Sequence, residues 1–208
     1  MVLPANHVRP RPDRVALIGL ALAAVACCAQ ITAQFVDYWA FDLRFDWLNG
    51  NSASSAFAWV SGAAILGTAL AFARIAIVSS SDRRTAVAIA CLFTFLLVDN
   101  RVHIHERLNH GKLLFLPLLG VTFVLLWRFS ARQSVRERRL VHAGLAFLLV
   151  SLLVALLGPT VLHSAGWTAH DWQYQVKVAI KEGTEKAGWI LVCFGALASL
   201  QRLGKGPG

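Results

Sequence analysis

Residues 140–162 read LVHAGLAFLLVSLLVALLGPTVL, a run without a single carboxylate, lysine or arginine. A helix needs about 20 predominantly apolar residues to cross a bilayer core, so this stretch reads as a transmembrane span. Five further blocks of similar character flank it: Val15–Val36, Ala56–Val78, Thr85–Glu106, Leu113–Phe129 and Glu185–Leu200. The whole composition agrees. Of 208 residues, 57% are apolar and only 15% charged, with a mean hydropathy of +0.58; a soluble domain carries about 45–50% apolar and about 25% charged residues. The expected fold is an all-α membrane protein, a bundle of six transmembrane helices. Its expected organisation is a basic cytoplasmic leader at 1–14, one transmembrane domain at 15–202 with an aromatic outer loop at 35–50, and a cytoplasmic tail at 203–208.

The fold class removes two function classes. A net charge of +9 and a pI of 10.1 do not indicate nucleic-acid binding here, because membrane proteins concentrate Lys and Arg on cytoplasmic loops. Cys27, Cys28, Cys91 and Cys193 all lie inside apolar blocks, where they act as small hydrophobes rather than a disulfide scaffold. The first block follows a basic leader, as a signal peptide would. It is longer than the 7–15 residues of a signal core and no small-x-small cleavage site follows, so it is expected to stay as a helix. Ala63, Gly67 and Ala71, four residues apart, suit close helix packing in the second span, and Gly158-Pro159 is expected to end the fifth.

Charge sets the orientation. With the amino terminus inside, the inner segments hold 13 of the 20 basic residues and three acids, and the outer segments hold 7 basic residues and 8 acids. The division is +10 inside against −1 outside, which places both termini in the cytoplasm of a bacterial (inner) membrane protein. Phe35, Tyr38, Trp39, Phe41, Phe45 and Trp47, with Asp37, Asp42 and Asp46 between them, form the outer loop; such rings favour the headgroup level.

Polar chemistry gathers on the outer side. The third block cannot cross on its apolar residues Thr85–Val98 alone, so its helix must continue through Asp99, His103 and Glu106. At 100° per residue Asp99, His103, Glu106 and His110 fall within about 60° of one another. A rise of 1.5 Å per residue puts Asp99 about 22 Å and His103 about 28 Å above Arg84, and Glu185 about 25 Å and Glu182 about 30 Å above Arg202. Polar residues in a span face the bundle interior and mark functional sites. Mixed Asp/Glu/His ligation suits a divalent zinc, manganese or iron ion. A structural ion-pair network with Arg101, Arg107, Lys181 or Lys186 and a proton relay stand beside the metal reading. His105-Glu106…His110 lacks the i, i+4 histidines of a zincin, and no paired mid-membrane histidines suggest haem; no nucleotide motif is present.

Val98-Asp99-Asn100 to His105-Glu106 resembles the Asp-(acid or amide)-x4-His-Glu motif of uncharacterised bacterial multipass membrane proteins. Lys181-Glu182-Gly183-Thr184-Glu185-Lys186-Ala187-Gly188 is similar to their last-span Glu-Glu-x2-Glu-x2-Gly pattern. The resemblance covers two short stretches and departs at Asn100 and Lys181, where acids are common. It implies that Asp99, His105, Glu106, Glu182, Glu185 and Gly188 belong together, and it prefers His105 where the helical stripe prefers His103. The expected function is a metal-binding integral membrane protein, an enzyme on a lipid or amphiphile from the outer leaflet being one form of it. The alternative is a proton- or cation-coupled transporter, channel or complex subunit. The lipid bilayer is the one partner the sequence names.

Overall fold

The computed structural model describes residues 14–49, 52, 54–102, 111–168 and 170–204. These form six helices and no strand: α1 (Arg14–Phe41), α2 (Ala56–Val78), α3 (Arg83–Val102), α4 (Gly111–Ala131), α5 (Val135–Ser164) and α6 (Trp172–Gly204). Helices α1, α2, α5 and α6 are long and apolar enough to cross a membrane, and α4 offers a shorter apolar stretch at Phe115–Ala131. Successive helices alternate in direction. One end of the bundle therefore gathers Arg14, Arg74, Arg83, Arg84, Arg132, Arg136, Arg138, Arg139 and Arg202, and the other gathers Phe41, Phe45, Trp47, Trp167 and Trp172.

Helix α6 is the centre. It packs against α5, α1 and α2, while α3 lies on α2 and α4 closes the side between α3 and α5. Small residues permit this. A Cβ on Gly188 would lie 2.9 Å from the Gly144 carbonyl oxygen, and one on Gly144 would lie 2.8 Å from that of Gly188, so α5 and α6 touch backbone to backbone. Gly183 meets Cys27 and Ile31 of α1, and Gly67 of α2 meets Cys193. Without a hydrophobic force between helices in lipid, such close approach is what provides packing energy. Phe72 and Phe129 meet edge to face at 4.8 Å, and Phe93 of α3 reaches Trp189 of α6 at 5.6 Å.

Several helices run past the bounds read from sequence, and three of these differences shape the interior. Helix α1 runs on to Phe41, so residues 35–41, expected in the aromatic loop, are helical; the rings of Phe35 and Trp39, one turn apart, meet tilted at 5.1 Å. Helix α5 passes through Gly158-Pro159 to Ser164. Gly158 lets the Lys177 side chain of α6 pack against the backbone there, and neighbouring groups make a proline tolerable within a long apolar helix. Helix α6 starts at Trp172 rather than Glu185, because Lys181, Glu182 and Lys186 satisfy one another inside the bundle and need not end the helix.

The arginine-rich end is tied by pairs between loops. Glu137 is buried, accepts the Ser134 N–H at 2.9 Å and meets Arg202 Nε at 3.2 Å; Arg202 also donates to Gln133 Oε1, and Arg132 meets Asp82 at 3.3 Å. Removing both the helix cap and the Arg202 partner with Glu137→Ala is expected to lower stability by about 1–2 kcal/mol, with Glu137→Gln milder, as read from thermal unfolding in detergent. At the other end the Asp171 carboxylate accepts from Thr168 N–H at 2.6 Å and Thr168 Oγ1 at 3.0 Å. The backbone bond first, then the hydroxyl, holds its pKa below the ordinary Asp value. A depressed folded pKa gives stability that is full above the unfolded pKa and is lost as pH falls through the folded one. The melting difference between wild type and Asp171→Asn should therefore close as pH drops below the usual Asp range.

Candidate functional site

A polar side chain in a membrane-spanning helix turns inward, and α6 and α1 each present a line of them. Gln175, Glu182 and Lys186 are buried and lie within about 40° on α6, being seven and then four residues apart. Gln30, Gln34 and Asp37 lie within about 60° on α1. All three are buried while most of that helix is exposed, so this face is the one laid on α6. Gln34 Nε2 donates to Gln175 Oε1 at 2.8 Å and locks the two lines together.

Glu182 is the charged focus. Its Oε1 lies 2.5 Å from Lys181 Nζ and its Oε2 lies 2.6 Å from Lys186 Nζ. Lys186 is only 2% exposed. A charge this deep is held only by a partner, and here one carboxylate holds two ammonium groups. Both carboxylate oxygens are engaged.

The packing contacts give the helices a common register. Gly19 against Phe194, Gly183 against Cys27 and Gln34 against Gln175 run α1 antiparallel to α6, which puts Gln30 level with residues 179–183. Gly67 against Cys193 puts Ser61 of α2 level with Ala187. Phe93 against Trp189 puts Asp99 and Asn100 of α3 level with Gly183 and Glu182. One polar stratum thus crosses the bundle toward its aromatic end. Within it Gln30 Nε2 and Oε1, Ser61 Oγ, Asn100 Nδ2 and Trp189 Nε1 are buried and meet no hydrogen-bond partner among the described residues. A buried polar group left unpaired costs about 1–3 kcal/mol, so these atoms call for partners beyond the side chains around them.

At the aromatic end the α1–α2 loop hooks onto Asp37. Phe45 N–H donates to Asp37 Oδ1 and Leu43 N–H to the Asp37 carbonyl, both at 3.0 Å. Asp42 and Leu43 adopt left-handed φ of +52° and +59°. Leu has no ease there, and the loop holds that shape because Asp37 fixes both sides of the turn.

Of the residues singled out from sequence, Asp99 and Glu182 are buried at the same level, and Glu185 is half-buried on α6. His103, His105 and Glu106 lie outside the described residues. Among the described residues no three His, Cys, Asp or Glu side chains converge as a metal ligand set would. Lys186 pairs with Glu182 on its own helix. The glutamines were passed over; their signal was an amide pair one turn apart, Gln30 and Gln34, inside an otherwise apolar span.

A family model described as Domain of unknown function (DUF8692) matches residues 14–200, which is the bundle from the start of α1 to the last turns of α6. The chain belongs to this family. Comparison with curated proteins and with solved structures gives no match.

Proposed function

We propose that this DUF8692 member is a six-span protein of the bacterial inner membrane, with both termini cytoplasmic, whose polar stratum moves protons as part of a channel, transporter or membrane complex. The arginine-rich end is the cytoplasmic one, from the +10/−1 charge division, and the stratum then lies in the outer half. The observation that carries the reading is Glu182 held between Lys181 and Lys186 in the central helix. Both of its oxygens face ammonium groups, so a divalent ion would have to displace two cations to use it, whereas a proton exchanges within such a cluster without rearranging it. Buried Lys–Glu pairs of this kind mark proton pathways more naturally than electrophilic catalysis.

The orientation is tested by reporter fusions: Ser134 and Gly208 are expected to score cytoplasmic and Asn51 external. An external score at Ser134 removes both the span count and the side of the site. The activity is tested in proteoliposomes with a trapped pH dye under an imposed potential. Wild type should pass protons, and Glu182→Gln together with Lys186→Met should return the flux to the protein-free level. Equal flux from the double variant and wild type overturns the assignment. Metal analysis of the purified protein discriminates the other class. A stoichiometric zinc, manganese or iron ion that is lost in Glu106→Gln would move the function to a metal-dependent enzyme acting on a lipid or amphiphile, with Asp99, His103 or His105, and Glu106 as ligands.

A further inference from the structure

We infer that the stratum holds a chain of bound water that reaches Lys186 from the aromatic end, a half-column rather than a standing through-pore, so that a proton crossing the bundle leaves Lys186 toward the arginine-rich end only when the helices move. The inference deepens the proton reading and rests on it for purpose, but not for evidence.

The orphaned atoms specify the ligand. Gln30 offers a donor and an acceptor, Ser61 either, Trp189 and Asn100 donors, and Asp37 Oδ2 an acceptor. A cation would satisfy the acceptors alone and an anion the donors alone; water satisfies both and is the usual occupant of buried polar space with two to four partners. The charges that face the stratum are likewise mixed: Asp37 on α1, Asp99 on α3, and Lys181, Glu182 and Lys186 on α6. No single-sign ligand suits them.

The filling of the bundle specifies the entrance. Toward the arginine-rich end Phe72, Ile75, Leu126, Phe129 and Leu191 are fully buried, and none of them offers water a partner. Toward the aromatic end the interior line continues as the Gln34–Gln175 pair and then Asp37 with its hooked loop. Helices α1 and α2 make little direct contact with each other, so the seam between them is floored by α6. Water therefore enters under the α1–α2 loop and passes the paired amides.

X-ray hydroxyl-radical footprinting of the intact protein in nanodiscs reads this directly, because radicals formed from bound water oxidise the side chains beside it. Trp189 and Phe93 pack on each other and are both buried, which makes Phe93 an internal control. After correction for intrinsic reactivity, Trp189 is expected to be oxidised several-fold faster than Phe93 and Phe72. On mixing with 18O-labelled water before exposure, its uptake of the label should slow several-fold in Gln34→Phe, which plugs the line. Trp189 labelling no faster than Phe93 in wild type overturns the water chain. Fast labelling with unchanged isotope uptake in a Gln34→Phe protein that melts like wild type overturns the entrance, and if that variant does not fold, the wild-type comparison still decides whether water is present. Fast labelling in a protein without proton flux leaves the water chain standing and removes the proton function alone.

Discussion

Lys186→Met is expected to lower stability by about 3 kcal/mol or more, the low end of the range for breaking a buried ion pair. The side chain is 2% exposed and its Nζ lies 2.6 Å from Glu182 Oε2. Methionine keeps the volume and removes the charge, so Glu182 is left buried with one oxygen facing no cation. Lys181 still holds the other oxygen at 2.5 Å, which is why the effect falls at the low end. Adding Glu182→Gln should restore most of the loss, since a neutral amide needs no counter-ion. The double-mutant cycle, read by tryptophan fluorescence during thermal unfolding in detergent, is then strongly positive in coupling. A Lys186→Met protein as stable as wild type would mean that the pair is not held in a low-dielectric interior.

Gly188→Leu is expected to lower stability by about 3 kcal/mol or more, the upper range of overpacking. A Cβ there meets Leu148 Cγ at 2.6 Å and the Gly144 carbonyl oxygen at 2.9 Å, and the latter is backbone that cannot turn aside. Helices α5 and α6 must separate, and with them the helix that carries Glu182 and Lys186. Gly120 is the comparison, because a Cβ there has nothing within 4 Å; Gly120→Ala is expected to be neutral or to stabilise by up to about 1 kcal/mol through helix propensity. Limited proteolysis and thermal unfolding of the two variants give the contrast. Similar melting for both would show that the Gly144–Gly188 contact is not what holds the central helix.

Much of the helical content was legible because it depends on one-dimensional properties. The uncharged run at 140–162 cannot be anything but a long helix in an apolar environment, and Ala56–Val78 appears in the structure with the bounds read from sequence. Hydropathy misjudged the ends wherever a polar residue is buried. Helix α6 was cut short at Glu185 because a hydropathy window counts Lys181 and Glu182 as breaks, although their charges and that of Lys186 satisfy one another. Asp37 and the rings around it were read as a loop for the same reason, yet Asp37 is fully buried and the helix carries on past it.

The site was legible only in part. Helical rise alone, fixed at 1.5 Å per residue by backbone geometry, put Asp99 at the depth of Glu185, whereas the packing of Phe93 on Trp189 sets Asp99 level with Gly183, beside Glu182. That Lys186 would choose Glu182, that Gln34 would meet Gln175 across 141 positions, and that Gln30 would be enclosed without a partner among the described residues depend on which helix faces which. By itself the sequence determined an all-helical chain built for a membrane, an asymmetric arginine distribution and a set of intramembrane polar residues. Only the tertiary structure decided that the last helix is the central one. Gly183 and Gly188 let α1 and α5 approach it from two sides, and close contact between particular small residues is a property of pairs of helices that no single stretch of sequence contains.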